Sequence, residues 1–310
     1  MVRLNHRHPC ANSASVLQRV AVPGRVRHTR YRVYGRLVRR FPIRQAQSLA
    51  VVLLAVAAVL VPAVRAAPQG VDAVPYPNSM AAIGDSWTTA YCTDADCTVK
   101  PRDSWSTGWN PAIDSHYLRI LAKNRKIHGR NYNIADEAGI VAAGIGDLTL
   151  MAGNAIAKKV DYVTIALGEN DACSSSPAGF RAEFKAGMDK LTKGLPHAKI
   201  FVASIDDLTR QWQALHADRK IRPYVNLDCG LGPTTTKKQL HALRIQIAAL
   251  NTQLSSVCAH YARCRYDGGA VFRIPWKEQD FSPLDYGHLS IAGQRTLAAA
   301  TWKATFPFGE

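Results

Sequence analysis

The first 66 residues contain no lysine and no acid, yet hold twelve arginines. An arginine arm can bind nucleic acid, but this one runs directly into an apolar segment, which implies a membrane and no nucleic-acid partner. The whole chain carries +16, so the remainder contributes only +4, and the basic character belongs to the arm. There is no Cys-x-x-Cys pair and no His-Glu-x-x-His. The spacings of a structural zinc site or a zinc hydrolase are therefore missing, and no metal or cofactor is implied. No internal repeat or low-complexity tract interrupts the chain. The apolar run 49–64 has sixteen residues, short of the ~20 that a spanning helix prefers.

What is present at the N-terminus is the layout of a secretory signal: a basic region, an apolar stretch, then small residues. Val64 and Ala66 would be the −3 and −1 positions, with cleavage before Ala67. An uncleaved anchor is the alternative, its positive flank keeping residues 1–47 in the cytoplasm. Arg39-Arg40-Phe41 only faintly suggests a twin-arginine signal, and the long basic region suggests a start codon downstream of Met1. The expected organisation is a basic extension over 1–47, the signal or anchor over 48–66, a Pro/Gly linker over 67–77 and one domain over 78–310. Beyond Cys10 there are six cysteines, an even number that suits export. Six allow fifteen connectivities. Closeness favours Cys92 with Cys97 and Cys258 with Cys264, leaving Cys173 with Cys229; closing that long loop would stabilise by about 4 kcal/mol.

Short apolar strands are expected at 80–83, 131–135, 160–167, 198–205 and 264–267, with helices between them. Pro111 would open a helix over 111–123, and others are expected at 148–159, 180–195, 208–217 and 290–303. The strongest periodicity, Leu240, Leu243, Ile247, Leu250, Leu254 and Val257, marks a core-facing helix. Strands alternating with helices imply a parallel sheet covered on both faces. Sites in such sheets lie beyond the carboxyl ends of the strands.

Three stretches at such positions carry chemistry. Met80-Ala-Ala-Ile-Gly-Asp-Ser-Trp87 is a buried strand ending in a tight turn that delivers Ser86 to a helix start. Gly168-Glu-Asn-Asp171 follows the third strand, and Asp285-Tyr-Gly-His288 precedes the last helix. Each pattern alone is also what an ordinary turn or helix cap looks like. Together, in this order, they resemble the GDSL-like, or SGNH, hydrolases over roughly residues 75 to 305. Phe201-Val-Ala-Ser-Ile-Asp-Asp-Leu208, Tyr266-Asp-Gly-Gly269 and the Cys258/Cys264 pair look like secreted actinobacterial members.

The resemblance implies a flavodoxin-like α/β/α sandwich with a five-stranded parallel sheet. It implies ester hydrolysis with Ser86 as nucleophile, His288 as base and Asp285 orienting the base. The oxyanion donors would be the N–H groups of Ser86 and Gly139 and the side-chain amide of Asn170. The sequence departs from the family at two places. Several extra residues separate Gly139 from Asp147-Leu148, which leaves Gly144 as an alternative, and Trp87 stands where the name-giving pattern has Leu. Cys173, two residues after Asp171, would pin the Asn170 loop if it pairs with Cys229. Trp87, Tyr91, Trp105, Trp109, Trp276 and Phe281 flank the site in sequence and are candidates either for a substrate pocket or for the core. The expectation is an exported, monomeric esterase or lipase acting on a small-molecule, lipid or polysaccharide ester, touching membrane only through its N-terminus. An O-acetyl esterase acting on polysaccharide and a non-catalytic carbohydrate- or lipid-binding module are the alternatives.

Overall fold

The computed structural model describes residues 73–141 and 147–310. The arginine arm, the apolar segment, the expected cleavage site before Ala67 and Gly144 lie outside them. The element order is β1 (Met80–Gly84), α1 (Ser86–Thr89), α2 (His116–Lys123), β2 (Asn131–Asn133), α3 (Leu148–Ala157), β3 (Tyr162–Ala166), α4 (Pro177–Gly194), β4 (Lys199–Val202), α5 (Leu208–Ala217), α6 (Lys237–Cys258), β5 (Cys264–Tyr266) and α7 (Ile291–Ala304). The five strands form one sheet in the order β2-β1-β3-β4-β5, every pair parallel. Helices cover it in a three-layer α/β/α arrangement, as the sequence implies.

Why the central strands read as apolar runs is plain from their burial. Every residue of β1 is buried, and so are Tyr162 to Ile165 of β3. A strand covered on both faces has no solvent side on which polar residues could alternate. The β1–β3 register runs from Met80 opposite Tyr162 to Gly84 opposite Ala166. The two strands therefore end side by side, and the turns carrying Ser86 and Asn170 leave from one edge of the sheet.

The helices start where side chains can satisfy their free N–H groups. Ser176 caps α4 with Pro177 in its first turn, three residues earlier than periodicity suggests. Thr236 and Gln239 form a reciprocal capping box at the start of α6. The helix expected from Pro111 begins only at His116. Asp114 sits in the left-handed region at φ 56°, which breaks any helix there, and Ser115 caps the new start by accepting from the Leu118 N–H. Helix α3 packs on α4, and α4 on α6. Elsewhere α2 and α7 are joined by His116, whose Nε2 lies 2.9 Å from Thr301 Oγ1 and whose Nδ1 lies 3.0 Å from the Tyr162 hydroxyl. Burial, helped by Arg119, pushes the His116 pKa down to about 3, so this histidine is a neutral strut of the core.

The expected linker is partly built into the domain. Val74 bridges to Phe308, the Gly309 N–H donates to the Val74 carbonyl at 2.8 Å, and Tyr76 stacks on Phe308. The cysteines pair as Cys92–Cys97, Cys173–Cys229 and Cys258–Cys264. Among the described residues no helix is long and apolar enough to cross a membrane.

Candidate active site

Ser86 is placed by the end of β1. Asp85 leaves the strand in extended conformation and caps α1, its Oδ1 accepting from the Trp87 N–H at 3.1 Å. The Asp85 carbonyl accepts from the N–H groups of Thr88 and Thr89. Gly84 cannot be replaced here, since a Cβ on it would lie 2.1 Å from Thr88 Oγ1. The turn is also held from a distance. Gln294 on α7 is fully buried; its Nε2 donates to the Trp87 carbonyl at 2.8 Å, while its Oε1 accepts from the Trp105 N–H at 2.9 Å.

The second cluster is the loop before α7. Asp285 Oδ1 accepts from the N–H groups of Gly287 (3.0 Å) and His288 (3.1 Å), and Oδ2 lies 2.6 Å from His288 Nδ1. Burial works against the Asp285 charge, but the His288 hydrogen bond and charge and the two amides outweigh it. Its pKa is held below the ordinary value. An ionised carboxylate makes Nδ1 the donor of that bond and leaves Nε2 as the free acceptor of the ring. The Tyr91 ring meets His288 edge-on, with centroids 4.9 Å apart. From α5, Gln211 Nε2 donates to the Tyr286 and Gly287 carbonyls at 3.3 and 3.0 Å.

The third cluster is the turn after β3. Gly168 has φ +121° and lies against Ile205 and Phe180, a conformation and a space that exclude a side chain. Asn170 Nδ2 donates to the Gly139 carbonyl at 3.0 Å. Gly139 in turn presses on the strand end before Ser86; a Cβ on it would stand 2.4 Å from the Gly84 carbonyl oxygen. The Gly139 N–H itself donates to the Asp136 carbonyl at 2.9 Å. Buried Asp171 ties the neighbouring chain down by accepting from the Val141 N–H at 2.9 Å.

Ser86, Asp285 and His288 share one cavity of about 150 Å³, whose other walls are Trp87, Glu169, Gln211, Asn226, Leu227, Asp228 and Gly287. Of the flanking aromatics, Trp87 reaches this cavity and Tyr91 touches His288. Trp105, Trp276 and Phe281 are core, while Trp109 is half exposed. One triad of possible metal ligands forms among the described residues: atoms of Cys92, Asp285 and His288 lie within 4.8 Å of one another. Cys92 is bonded to Cys97, so its sulfur is no thiolate ligand. It serves as packing against the Asp–His pair.

Sequence reasoning missed the acids behind the serine. Glu169 occupies the variable position of the Gly168–Asp171 pattern, where a charged side chain was the available signal. It lines both the Ser86 cavity and a second, smaller one of about 30 Å³ shared with Asp85 and Asp206. Burial pushes Asp85 up to about 7 against the lowering effect of the Trp87 amide and His288. Burial, with added repulsion from neighbouring acids, raises Glu169 and Asp206 well above the usual carboxylate range. Asp206 Oδ2 is buried with no hydrogen-bond partner among the described residues.

This cluster has a consequence for stability. A carboxyl whose folded pKa is raised contributes fully below its unfolded value, 3.8 for Asp, and the contribution is lost as pH rises through the folded value. Asp206→Asn is therefore expected to raise Tm at pH 8 by about 3 °C or more and to leave it nearly unchanged at pH 4. Thermal unfolding at the two pH values checks this; an equal shift at both, or a fall at pH 8, contradicts it.

With this geometry in view, the family model for GDSL-like lipase/acylhydrolase matches residues 80–301. The chain belongs to that family. No curated protein matches it. Among solved structures it is similar to a protein from Parabacteroides merdae described as a GDSL-like lipase, at 13% identity and TM-score 0.47, over 76% of this chain and 98% of that one. A family 3 carbohydrate esterase of Clostridium thermocellum matches at 12% identity and TM-score 0.42, over 73% and 94%. Phospholipase A1 of Streptomyces albidoflavus matches at 13% and 0.40, over 73% and 99%. All three clusters of this GDSL-like hydrolase lie within the matched residues 80–301.

Proposed function

We propose that this GDSL-like hydrolase cleaves carboxylic esters with Ser86 as nucleophile, His288 as general base and acid, and Asp285 as the group orienting His288. The observation that carries this reading is the meeting of Ser86 with the Asp285–His288 pair in one cavity, the pair joined at 2.6 Å. Ser86 Oγ attacks the carbonyl carbon while His288 Nε2 takes its proton. Collapse of the tetrahedral intermediate expels the alcohol, which receives that proton, and leaves an acyl-Ser86. Water, activated by the same nitrogen, then releases the acid and restores the serine.

The negative charge on the carbonyl oxygen needs donors fixed in advance. Ser86 opens α1, so its N–H is one of the amides for which a helix offers no internal acceptor. Asn170 has two amide hydrogens; one is committed to Gly139, and the other is left for the oxyanion. Gly139 is the third donor in this reading, which requires its N–H to leave the Asp136 carbonyl.

The full chain should hydrolyse p-nitrophenyl acetate, and Asn170→Ala should lower its kcat by about 100- to 1,000-fold. Release of p-nitrophenol over an acetate-to-palmitate series tests the reading. No turnover of any member would sink it, and an unaffected Asn170→Ala would remove Asn170 from the oxyanion site. Three disulfides fit an oxidising compartment. The protein in this reading is exported as a monomer, with cleavage before Ala67. N-terminal sequencing and the solution mass of the exported chain check both points; an intact leader or a dimer mass would contradict them.

A further inference from the structure

The walls of the Ser86 cavity are unusually rich in hydrogen-bond acceptors. Glu169 and Asp228 contribute carboxyls, and Asn226 adds an amide. Gln211 lines the same cavity while being only 1% exposed. Its Nε2 is spent on two backbone carbonyls, which fixes the orientation of the amide, and its Oε1 is buried without a donor among the described residues. A buried acceptor without a donor is costly to leave so, and a ligand bringing donors would relieve the cost. Among the described residues the apolar walls are Trp87 and Leu227, both themselves buried. That described lining offers a long acyl chain no continuous apolar track.

The wall that carries Asp228 is built rather than loose. The Leu227 N–H donates to the Leu231 carbonyl at 2.8 Å, closing the short loop that holds Asp228. Cys229 of that loop is bonded to Cys173, three residues beyond Asn170. The disulfide thus sets Asp228 against the same cavity as the proposed nucleophile, and a rigid support of this kind is what a specificity subsite needs.

We infer that Asp228, Glu169 and Gln211 form a subsite for the hydroxyl groups of the alcohol part of the ester, so that the substrate is a short-chain acyl ester of a polyhydroxylated alcohol such as a sugar. This rests on the ester-hydrolase reading above. A cation would also suit ionised acids, but the hydroxyl fits the chemistry better. Glu169 is crowded by Asp85, Asp206 and Asp228, and its burial favours the protonated form. An ammonium has no lone pair with which to accept the O–H of a protonated carboxyl, whereas a hydroxyl both donates and accepts and pairs with either form.

The test uses the full chain and four acetyl esters: ethyl acetate, p-nitrophenyl acetate, acetylcholine and methyl 6-O-acetyl-α-D-glucoside, with p-nitrophenyl octanoate beside them. The KM for the glucoside ester should be at least about tenfold below that for ethyl acetate. Asp228→Ala should raise the glucoside KM at least about tenfold more than the ethyl acetate KM. Gln211→Met should do the same; because Gln211 also holds the His288 loop, Asp228→Ala, on an exposed loop, is the deciding variant. A parent that treats the glucoside and ethyl esters alike, prefers acetylcholine or prefers the octanoate overturns the subsite. So does an Asp228→Ala variant that loses both substrates equally. A parent inert on all five esters overturns the ester-hydrolase reading itself.

Discussion

Ser86→Ala is expected to lower kcat on p-nitrophenyl acetate by about 10,000-fold or more, while the protein stays folded. The size follows from the loss of the group that forms the covalent intermediate; knocking out one member of such a unit costs nearly as much as removing all of it. Folding should survive because the hydroxyl supports nothing structural. The cap of α1 is Asp85, and the contacts that Ser86 makes to Thr89 Oγ1 and the Tyr91 N–H use its backbone carbonyl, which alanine retains. Activity assays beside thermal unfolding separate the two effects. A variant with parental stability and parental activity would mean that the nucleophile lies elsewhere.

The second large effect is expected at the Asp285–His288 pair. His288→Ala should match the loss at Ser86, since proton transfer in both halves of the reaction passes through one ring. Asp285→Asn should cost less, about 10,000-fold or somewhat below. An amide oxygen can still accept one set of hydrogen bonds, but an amide NH₂ facing Nδ1 favours the wrong tautomer and gives the imidazolium no counter-charge. Asp285 also has structural work, because its Oδ1 holds the Gly287 and His288 amides. The order His288→Ala worse than Asp285→Asn is read from kcat at a pH where both variants are folded. An Asp285→Asn enzyme with parental kcat would show that some other group orients the ring.

How much of this was legible in the sequence depends on the distance over which each feature is specified. That Ser86, Asp285 and His288 come to one cavity was legible because each sits in a short motif next to a strand end or helix start, where the chain itself fixes the local geometry; their roles, and that of Asn170, belong to the proposal above. The bounds of α5 were readable for the same reason. The start of α2 was misread because proline at 111 is a strong helix-opening signal, whereas the left-handed Asp114 and the Ser115 cap are set by packing around them. Gln294 and Gln211 were invisible as site supports, since their partners lie 207 and about 75 residues away. Glu169 and Asp228 were hidden differently. Nothing local marks an acid as facing a cavity, and the loop that brings Asp228 to the site is held in part by the Cys173–Cys229 bond, one of the pairings among the fifteen connectivities that six cysteines allow.

The central claim is that ester carbonyls are attacked by Ser86, and covalent labelling addresses it most directly. The full-length protein would be treated with a fluorophosphonate, digested, and its peptides weighed. The account predicts one equivalent of label on the peptide containing Ser86, complete loss of esterase activity in step with labelling, and no label on His288→Ala within the same time. Label on a different serine accompanying the loss of activity, or an active enzyme that never takes the label, would contradict it.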